Sequence, residues 1–221
     1  MFIGHFALGL AAKRAAPRVS LPVLFSAAQL ADLLWPFLLL AGAERVRIAP
    51  GITAFTPLDF VSYPYSHSLL LLGVWGVLFV FAYKKVSRAA AVASRTLLAL
   101  VVSHWVLDFV THRPDMPIYP GGPKVGLGLW NSVPATVVVE FAMFGVGVWM
   151  YLHGTRARDA QGRWGFWALA VFLAVVYIAN ISGPPPPSVT AIWISGIAGG
   201  LVLLVWSWWV DRHRDVILSS N

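Results

Sequence analysis

Cysteine is absent from the 221 residues of the chain, and charged residues make up only 11% of them. Without thiols the chain can form neither disulfides nor thiolate metal sites, and it has no cysteine nucleophile. Any metal site must therefore use histidine, aspartate or glutamate side chains. The scarcity of charge also excludes an ordinary soluble domain, because 58% of the residues are hydrophobic and the mean hydropathy is +0.74. We therefore expect an integral membrane protein.

Long apolar runs, bounded by charged or Pro/Gly-rich segments, divide the chain into candidate membrane spans. Their lengths approach the roughly 20 residues that a tilted helix needs to cross hydrocarbon. The opening run MFIGHFALGLAA is too short to cross alone, and because its basic residues follow it we expect no secretory signal. The predicted fold is an all-α polytopic membrane bundle of about six transmembrane helices plus a short N-terminal re-entrant or interfacial helix. The six runs are 20–42, 68–83, 96–112, 133–153, 164–182 and 189–210.

Basic residues alternate with the apolar runs and give the chain a formal charge of +7. They form no single patch, so we expect no nucleic-acid partner. Most of them fall in alternate connections, and the positive-inside rule then predicts a cytoplasmic C-terminus, with connections 43–66, 113–132 and 183–188 on the outer side. The segments that hold twelve of the sixteen Lys and Arg residues are 13–19, 84–95, 154–163 and 211–221.

Two of the predicted outer connections are long for a compact helical protein. Segment 43–66 contains three prolines, and segment 113–132 contains RPDMPIYPGGPKVGLGLWN. Long loops of this kind, stiffened by proline and marked by aromatic residues, are usually binding walls or lids, or else disordered. The third outer connection, SGPPPPS, is predicted to be a stiff polyproline spacer.

Ionisable residues interrupt the apolar runs at a few positions. In SHWVLDFVTH, His104, Asp108 and His112 follow one another at intervals of four residues. At 3.6 residues per turn these positions drift only about 40° and so share one helix face. Burying a charge in lipid costs at least about 2.5–3.5 kcal/mol, so such groups need partners. The other ionisable residues inside apolar runs are His5, Asp32, His67 and Glu140.

The predicted spans place these side chains at similar depths. His104 lies about 12 Å, Glu140 about 10 Å and Asp32 about 15 Å below the outer ends of their spans, and His67 lies at an outer mouth. Their convergence on one layer favours a shared partner over a purely structural hydrogen-bond network, which is the alternative. Imidazoles mixed with carboxylates suit Zn²⁺ or a similar metal, and their number favours two ions bridged by an aspartate.

The order of these motifs resembles the membrane-bound metal-dependent hydrolases of the LexA-regulated inner-membrane type. That family is distantly similar to the zinc-dependent phospholipase C and single-strand nuclease fold, in which an all-helical bundle holds a metal cluster and cleaves phosphoesters. The resemblance covers about residues 1–145, and its most specific element is the His-x-x-x-Asp pair in the third span. In chain order it rests on GHFALG (His5), AQLADLLWP (Asp32), YSHSLLL (His67), SHWVLDFVTH (His104, Asp108) and Glu140.

The resemblance implies one or two divalent ions, with zinc as the expected metal and Asp108 or Asp32 as the bridge. The soluble enzymes have a histidine four residues before the equivalent glutamate, where this chain has Thr136. The membrane family tends to have a second acid near the first aspartate, where this chain reads LLW. These departures argue against three ions. The metal ligands that the resemblance implies are His5, Asp32, His67, His104 and Asp108, with Glu140 as a further candidate.

In such a hydrolase Asp32 or Glu140 would be the catalytic base that takes a proton from water. Arg113 or Lys124, in an outer connection, would meet a phosphate. A site open to the outer leaflet suits a lipid head group or a lipid-linked phosphate, so membrane lipid is the expected partner. Further residues expected to contact the ligands or the substrate are Ser66, Ser68, Thr111 and His112.

The sequence thus predicts a metal-dependent hydrolase of a bacterial inner membrane. It is predicted to be one domain, 1–221, with a metal-site core at 1–153 and two additional helices at 154–221. Two other functions would use the same polar cluster: an ion or proton transporter, and a metal-stabilised scaffold without turnover. A transporter would more often show paired repeats and a site with access from both sides, which the sequence does not show clearly.

Overall fold

Helices dominate the computed structural model, which describes residues 1–87 and 91–217. The basic residue Arg88 and the last four residues of the predicted cytoplasmic tail lie outside that part. The helices are α1 (Ile3–Ala15), α2 (Leu21–Ala28), α3 (Leu30–Leu40), α4 (Pro64–His67), α5 (Leu69–Val86), α6 (Ala91–Thr111), α7 (Val133–Gly154), α8 (Ala160–Ser182) and α9 (Val189–Arg212). The short strands are β1 (Arg45–Ile48), β2 (Leu58–Ser62), β3 (Met116–Pro117), β4 (Lys124–Val125), β5 (Thr155–Ala157) and β6 (Arg214–Val216).

Among the described residues, five helices, α5 to α9, are long and apolar enough to cross a membrane, and the bent pair α2 and α3 can form a sixth span. The prediction of a helical bundle with about six spans is confirmed. The run 20–42 is not one straight helix, because the chain bends by 62° between α2 and α3. Gln29 leaves the helical conformation there, with φ −106° and ψ 13°, and this ends α2 at Ala28.

Large apolar side chains remain exposed along the spans, as expected for faces that meet lipid. The five or six apolar helices are compatible with an integral membrane protein. Exposed positions include Leu70, Val77, Val138, Val171 and Leu201.

Most of the long helices begin at a short polar residue that accepts a hydrogen bond from the first turn. Ser68 accepts from the N–H of Leu71 at the start of α5, and Asp159 accepts from the N–H of Gly162 at the start of α8. Ser132 and Ser188 cap α7 and α9 in the same way. These caps satisfy amides that would otherwise lack partners, and they fix where each span begins.

The short helix α1 lies inside the bundle, where nine of its thirteen residues are buried. Its main neighbour is α7, and the two backbones touch where Gly147 crosses Ala7. A Cβ atom at Gly147 would lie only 2.5 Å from the carbonyl oxygen of Ala7. A residue without a side chain is therefore needed at this crossing, as at close helix contacts in membranes generally.

The course of α1 defines two ends of the bundle. At one end, which we call the cavity end, α1 begins beside Asp108 of α6 and Glu140 of α7. At the other, which we call the basic end, Lys13 of α1 pairs with Asp211 near the end of α9. Arg214 also lies at the basic end, where it contacts Thr155.

In residues 1–87 and 91–217, three small antiparallel sheets, which the sequence did not predict, order the connections. β1 pairs with β2 inside segment 43–66, and β3 pairs with β4 inside segment 113–132. β5 and β6 join the end of α7 to the segment after α9. The two long outer connections are therefore packed walls: Val46, Phe60, Met116 and Trp130 share a buried cluster with Trp35 and Ile192.

The C-terminal helices pack into the same core as the rest of the chain. Leu169, Leu173 and Tyr177 of α8 lie in one buried cluster with Ile3 and Phe6 of α1. Helix α9 packs against α2 and α3. The division into a metal-site core and two additional helices stays a prediction.

Candidate metal centre

Five of the predicted ligands meet at the cavity end, although they come from four separate helices. Helix α1 contributes His5, α3 contributes Asp32, α4 contributes His67, and α6 contributes His104 and Asp108. They form two groups, His5–His104–Asp108 and Asp32–His67–His104, whose ligand atoms lie within 4.8 Å of one another. Each group can hold a metal ion.

Asp108 lies at the centre of the cluster, and its two carboxylate oxygens face different partners. Oδ1 lies 3.0 Å from Nε2 of His5. Oδ2 is surrounded by the Nε2 atoms of His104 at 3.2 Å, His67 at 3.9 Å and His112 at 4.0 Å. Ligands about 2.0–2.1 Å from a tetrahedral zinc ion lie about 3.3 Å apart. The separations from Asp108 to His5 and His104 fit a shared ion, and those to His67 and His112 are longer. With two oxygens, Asp108 is also placed to bridge two ions.

The break between α2 and α3 orients His104. Its Nδ1 donates a hydrogen bond of 2.9 Å to the carbonyl oxygen of Ala28, the last residue of α2. That bond fixes the proton on Nδ1 and directs the lone pair of Nε2 into the cluster, which is the tautomer that a metal needs. The ring of His104 stacks on that of His5, with centroids 3.8 Å apart.

A relay of hydrogen bonds likewise places the proton of His67 on Nδ1 and leaves its Nε2 facing the cluster. The hydroxyl of Ser66 donates to Oε2 of Glu44 at 2.6 Å and lies 2.6 Å from Nδ1 of His67. Because this hydroxyl gives its only proton to the carboxylate, it must accept from the Nδ1–H of His67. Glu44 is itself held by the backbone amides of Tyr65 and Ser66, at 2.8 and 2.9 Å. Nε2 of His67 therefore faces Asp32, 3.4 Å away, with its lone pair free.

His112 is held by a third acceptor, Asp115. Its Nδ1 lies 3.0 Å from Oδ1 of Asp115, which also accepts from the hydroxyl of Tyr63 at 2.9 Å. Burial alone would raise the pKa of Asp115, but hydrogen bonds from His112, Tyr63 and Arg113 outweigh it and lower the pKa from its ordinary value. An ionised Asp115 keeps the proton on Nδ1 and turns Nε2 of His112 towards Asp108.

Glu140 approaches the cluster from α7 but makes different contacts. Its Oε2 accepts from the backbone amides of Phe2 and Gly4, at 2.8 and 3.1 Å. It thereby satisfies free amides at the start of α1 and anchors the helix that carries His5. Glu140 belongs to neither ligand group, and its role as ligand or base stays a prediction.

The remaining predicted contact residues divide by position. Thr111 lies at the cluster, where the backbone nitrogen of Met1 is 3.3 Å from its hydroxyl and 2.5 Å from Oδ1 of Asp108. Ser68 caps α5 instead. Arg113 pairs with Asp59 and Asp115, and Lys124 donates to the carbonyl of Val61 at 3.2 Å.

A cavity of about 520 Å³ opens onto the cluster. Asp32, His67, Asp108 and His112 line it on one side, and segment 50–58 forms another wall. Pro184 to Pro187 also line it, so the polyproline connection is more than the predicted spacer. Near the end of α8, Tyr177 packs on Phe55 of the first outer connection, with ring centroids 5.7 Å apart.

Sequence reasoning missed two residues that hold the cluster, Glu44 and Asp115. Both lie in connecting segments, where a carboxylate is normally exposed to solvent. Glu44 is nevertheless only 2% exposed and Asp115 only 5%. Asp115 carried a weak signal, because it follows His112 by three residues. Glu44 is far from Ser66 in sequence, and only the β1–β2 hairpin brings the two together.

The fold and the site together define a helical protein whose described part has five or six apolar helices and a buried His/Asp cluster that can hold metal. No protein-family model matches the chain, and no curated protein or solved structure is significantly similar to it.

Proposed function

We propose that this chain is a membrane hydrolase that uses one or two divalent ions, with zinc as the expected metal, to cleave phosphoesters. The observation that carries the proposal is the surrounding of Asp108 Oδ2 by three Nε2 atoms. Each of the three imidazoles gives its Nδ1 proton to a separate acceptor. Histidines that bind metal in proteins usually donate their other ring N–H to an acceptor of this kind.

The cavity favours an enzyme over a metal-stabilised scaffold. Structural zinc sites are closed by protein ligands, whereas catalytic sites keep a position open for water or substrate. Here a cavity of about 520 Å³ reaches Asp32, His67 and Asp108 directly. A substrate can therefore approach the cluster without any rearrangement of its ligands.

The core between the two ends argues against the transporter alternative. Phe6 and Leu10 of α1 and Phe25 of α2 are all less than 5% exposed, and they lie between the cluster and Lys13. A proton or ion path would need polar side chains or water in this layer. The buried layer is apolar instead.

A bound divalent ion would supply Lewis-acid polarisation of a substrate oxygen and activation of water. Asp108 lies at the centre of the cluster. The groups that accept hydrogen bonds from Nδ1–H of His67, His104 and His112 fix the orientation of these rings. Asp32 has the most accessible carboxylate of the cluster, with 40% of its side chain exposed, and it lines the cavity. We therefore assign Asp32 as the base that takes a proton from water entering through the cavity.

Lipid-linked phosphates or lipid head groups are the substrates that fit this location. We propose that the cavity end faces the outer side of a bacterial inner membrane, because the basic connections lie at the opposite end. The absence of cysteine makes this testable with single Ala→Cys variants. An impermeant maleimide should label Ala43→Cys in intact spheroplasts and should label Ala160→Cys only after lysis; the reverse pattern would invert the topology.

The test of the activity is hydrolysis of nitrophenyl phosphoesters by zinc-loaded protein in detergent. Wild-type protein should turn over at least one ester. Asp108→Asn should abolish turnover because it removes the charge of the central ligand and replaces one of its two oxygens with an amide nitrogen. Asp215→Asn is the matched control, since Asp215 is an exposed partner of Arg158 at the basic end. Folded, zinc-loaded wild-type protein without turnover would contradict the hydrolase and leave the scaffold.

A further inference from the structure

The cavity extends around α8, close to the end of that helix at the cavity end of the bundle. Tyr177, Ala179 and Asn180 all line it. At 3.6 residues per turn, Ala179 lies about 200° from Tyr177 around the helix, and Asn180 lies between them. Tyr177 faces the core and is 1% exposed, whereas Ala179 and Asn180 are exposed. The cavity therefore continues from the core face of α8, past Asn180, to the opposite face.

The opposite face of α8 is an apolar surface. Val175 and Val171 precede Ala179 by four and eight residues, so they share its face. Their side chains are 59% and 58% exposed, and α8 is one of the helices that are long and apolar enough to cross a membrane. In a bilayer such a face meets acyl chains. The cavity therefore opens towards lipid.

Exposed tryptophans indicate the depth of this opening. Trp164 and Trp167, near the start of α8, are 66% and 42% exposed, as expected at a membrane boundary, where aromatic residues are enriched. At 1.5 Å per residue, Ala179 lies about 22 Å from Trp164 and about 18 Å from Trp167 along the helix axis. The hydrocarbon core of a bilayer is about 30 Å thick. Ala179 therefore lies within the hydrocarbon, in the half nearer the cavity end.

The wall of the cavity next to α8 consists of aromatic rings and prolines. The ring of Tyr177 lies 5.7 Å from that of Phe55 and 6.5 Å from that of Phe2, and all three residues line the cavity. Pro184 to Pro187 follow directly after α8 and line it as well. Such a wall gains from contact with hydrocarbon.

The same cavity reaches the polar cluster at Asp32, His67 and Asp108. Divalent ions bound there would attract the oxygens of a phosphate group. The ammonium group of Met1, which also lines the cavity, would help to offset the charge of that phosphate beside the two carboxylates. A cavity with hydrocarbon at its opening and a metal cluster inside matches a molecule that joins acyl chains to a phosphate head group.

We propose that the opening beside Ala179 is a lateral entrance through which a phospholipid of the surrounding bilayer reaches the cluster. The head-group phosphate enters the cavity, and an acyl chain stays against the exposed face of α8. The entrance rests on the proposed function and narrows its substrate class from phosphoesters to bilayer phospholipids. A larger side chain at position 179 would project into the passage. Because Ala179 is exposed, such a side chain should not disturb the packing of the core.

The first test compares two substrates of the zinc-loaded protein in phosphatidylglycerol liposomes. Ala179→Phe should slow the loss of phosphatidylglycerol, followed by mass spectrometry, at least about tenfold. Hydrolysis of a soluble nitrophenyl phosphoester should change less than about twofold, because a small ester can enter past the exposed outer connection. Ala168→Phe is the matched control, because Ala168 is exposed on the same face, about 16 Å nearer the basic end. Equal slowing of both substrates, or unchanged loss of the phospholipid, would overturn the entrance.

A cross-linking measurement tests the entrance without turnover. Because the chain lacks cysteine, Ala54→Cys on the cavity wall can carry a single benzophenone. Illumination in phosphatidylglycerol nanodiscs should add the mass of one phospholipid. Ala179→Phe should prevent this adduct, and Ala168→Phe should not.

The two measurements separate the entrance from the proposed function. Hydrolysis of the nitrophenyl ester without any phospholipid adduct would overturn the entrance and keep the hydrolase. An adduct that Ala179→Phe leaves unchanged would also overturn the entrance. An adduct that Ala179→Phe prevents, in zinc-loaded protein that hydrolyses neither substrate, would refute the proposed function and keep the entrance.

Discussion

The buried polar groups at the two ends of the bundle differ in their hydrogen-bond and ion-pair partners. At the basic end the buried cations have close partners: Lys13 lies 2.8 Å from Asp211 and 2.9 Å from the carbonyl oxygen of Val19. Arg214 donates to Thr155 and to the carbonyl of Gly162. At the cavity end acids and imidazoles crowd together, and the described residues leave Nε2 of His104 without a hydrogen-bond partner.

The paired cations of the basic end contribute to the stability of the fold, whereas the cluster at the cavity end can hold a metal ion. Native proteins satisfy nearly all buried polar atoms, so a cluster that is oriented but not satisfied indicates binding. Hydrogen-bond acceptors orient the rings of His67, His104 and His112 through Nδ1. Among the Nε2 atoms of these three rings, that of His104 is buried without a partner in the described part of the chain. Substitutions at the two ends should accordingly act on different properties.

The largest effect on stability is expected from Lys13→Met. It leaves the carboxylate of Asp211 buried without its cation, and breaking such a pair costs about 3–5 kcal/mol. We expect the lower part of that range, because 16% of the Asp211 side chain is exposed. Thermal unfolding in detergent measures the change, with the exposed Lys84→Met as the control. Zinc content per folded chain should stay unchanged; loss of zinc from folded protein would show that the two ends are not independent.

Glu44→Gln should lower metal affinity more than it lowers the stability of the fold. Removing an acceptor behind a metal-ligating histidine typically lowers metal affinity by about 10–100-fold. Competition with a zinc chelator measures this loss. Ser66→Ala should lower the affinity comparably, because the relay from Glu44 to His67 passes through the Ser66 hydroxyl.

Ser68→Ala is the control for this relay. It lies two residues from Ser66 and loses only the cap of α5. Loss of the cap should lower the free energy of unfolding by about 0.5–2 kcal/mol. Zinc affinity should not change. Equal loss of affinity in Ser66→Ala and Ser68→Ala would contradict the relay.

A smaller effect than that of Lys13→Met is expected from Gly147→Ala, where α1 crosses α7 between the two ends. The new methyl group meets the backbone of Ala7, and overpacking of this kind typically costs about 1–3 kcal/mol. Because α1 carries both His5 and Lys13, its displacement should lower both stability and zinc affinity. Gly145→Ala is the matched control, since no atom of the described residues lies within 4 Å of its added carbon. Equal behaviour of the two variants would show that the crossing is not tight.

Much of this architecture could be predicted from the sequence because lipid leaves few alternatives. Apolar runs of about 20 residues must form helices, and ionisable residues inside them must find partners. The interval of four residues between His104, Asp108 and His112 placed them on one face, and the structure brings His67 and Asp32 to that face.

The remaining features depend on contacts between distant segments. The bend at Gln29 gave no sequence signal, although it frees the carbonyl that orients His104. The β1–β2 hairpin and the buried Glu44 lie in segment 43–66, whose length and prolines predict a binding wall, a lid or disorder but neither strands nor a buried acid. The family resemblance stays a prediction, as do the hydrolase and zinc.

The most direct test of the central claim is the metal content of purified wild-type protein, measured by elemental mass spectrometry beside His104→Ala. We predict one or two zinc-like ions per wild-type chain and their loss in the variant. His153→Ala should retain them, because His153 is exposed at the basic end of α7. Folded wild-type protein that stays free of metal after incubation with zinc or manganese would contradict the account.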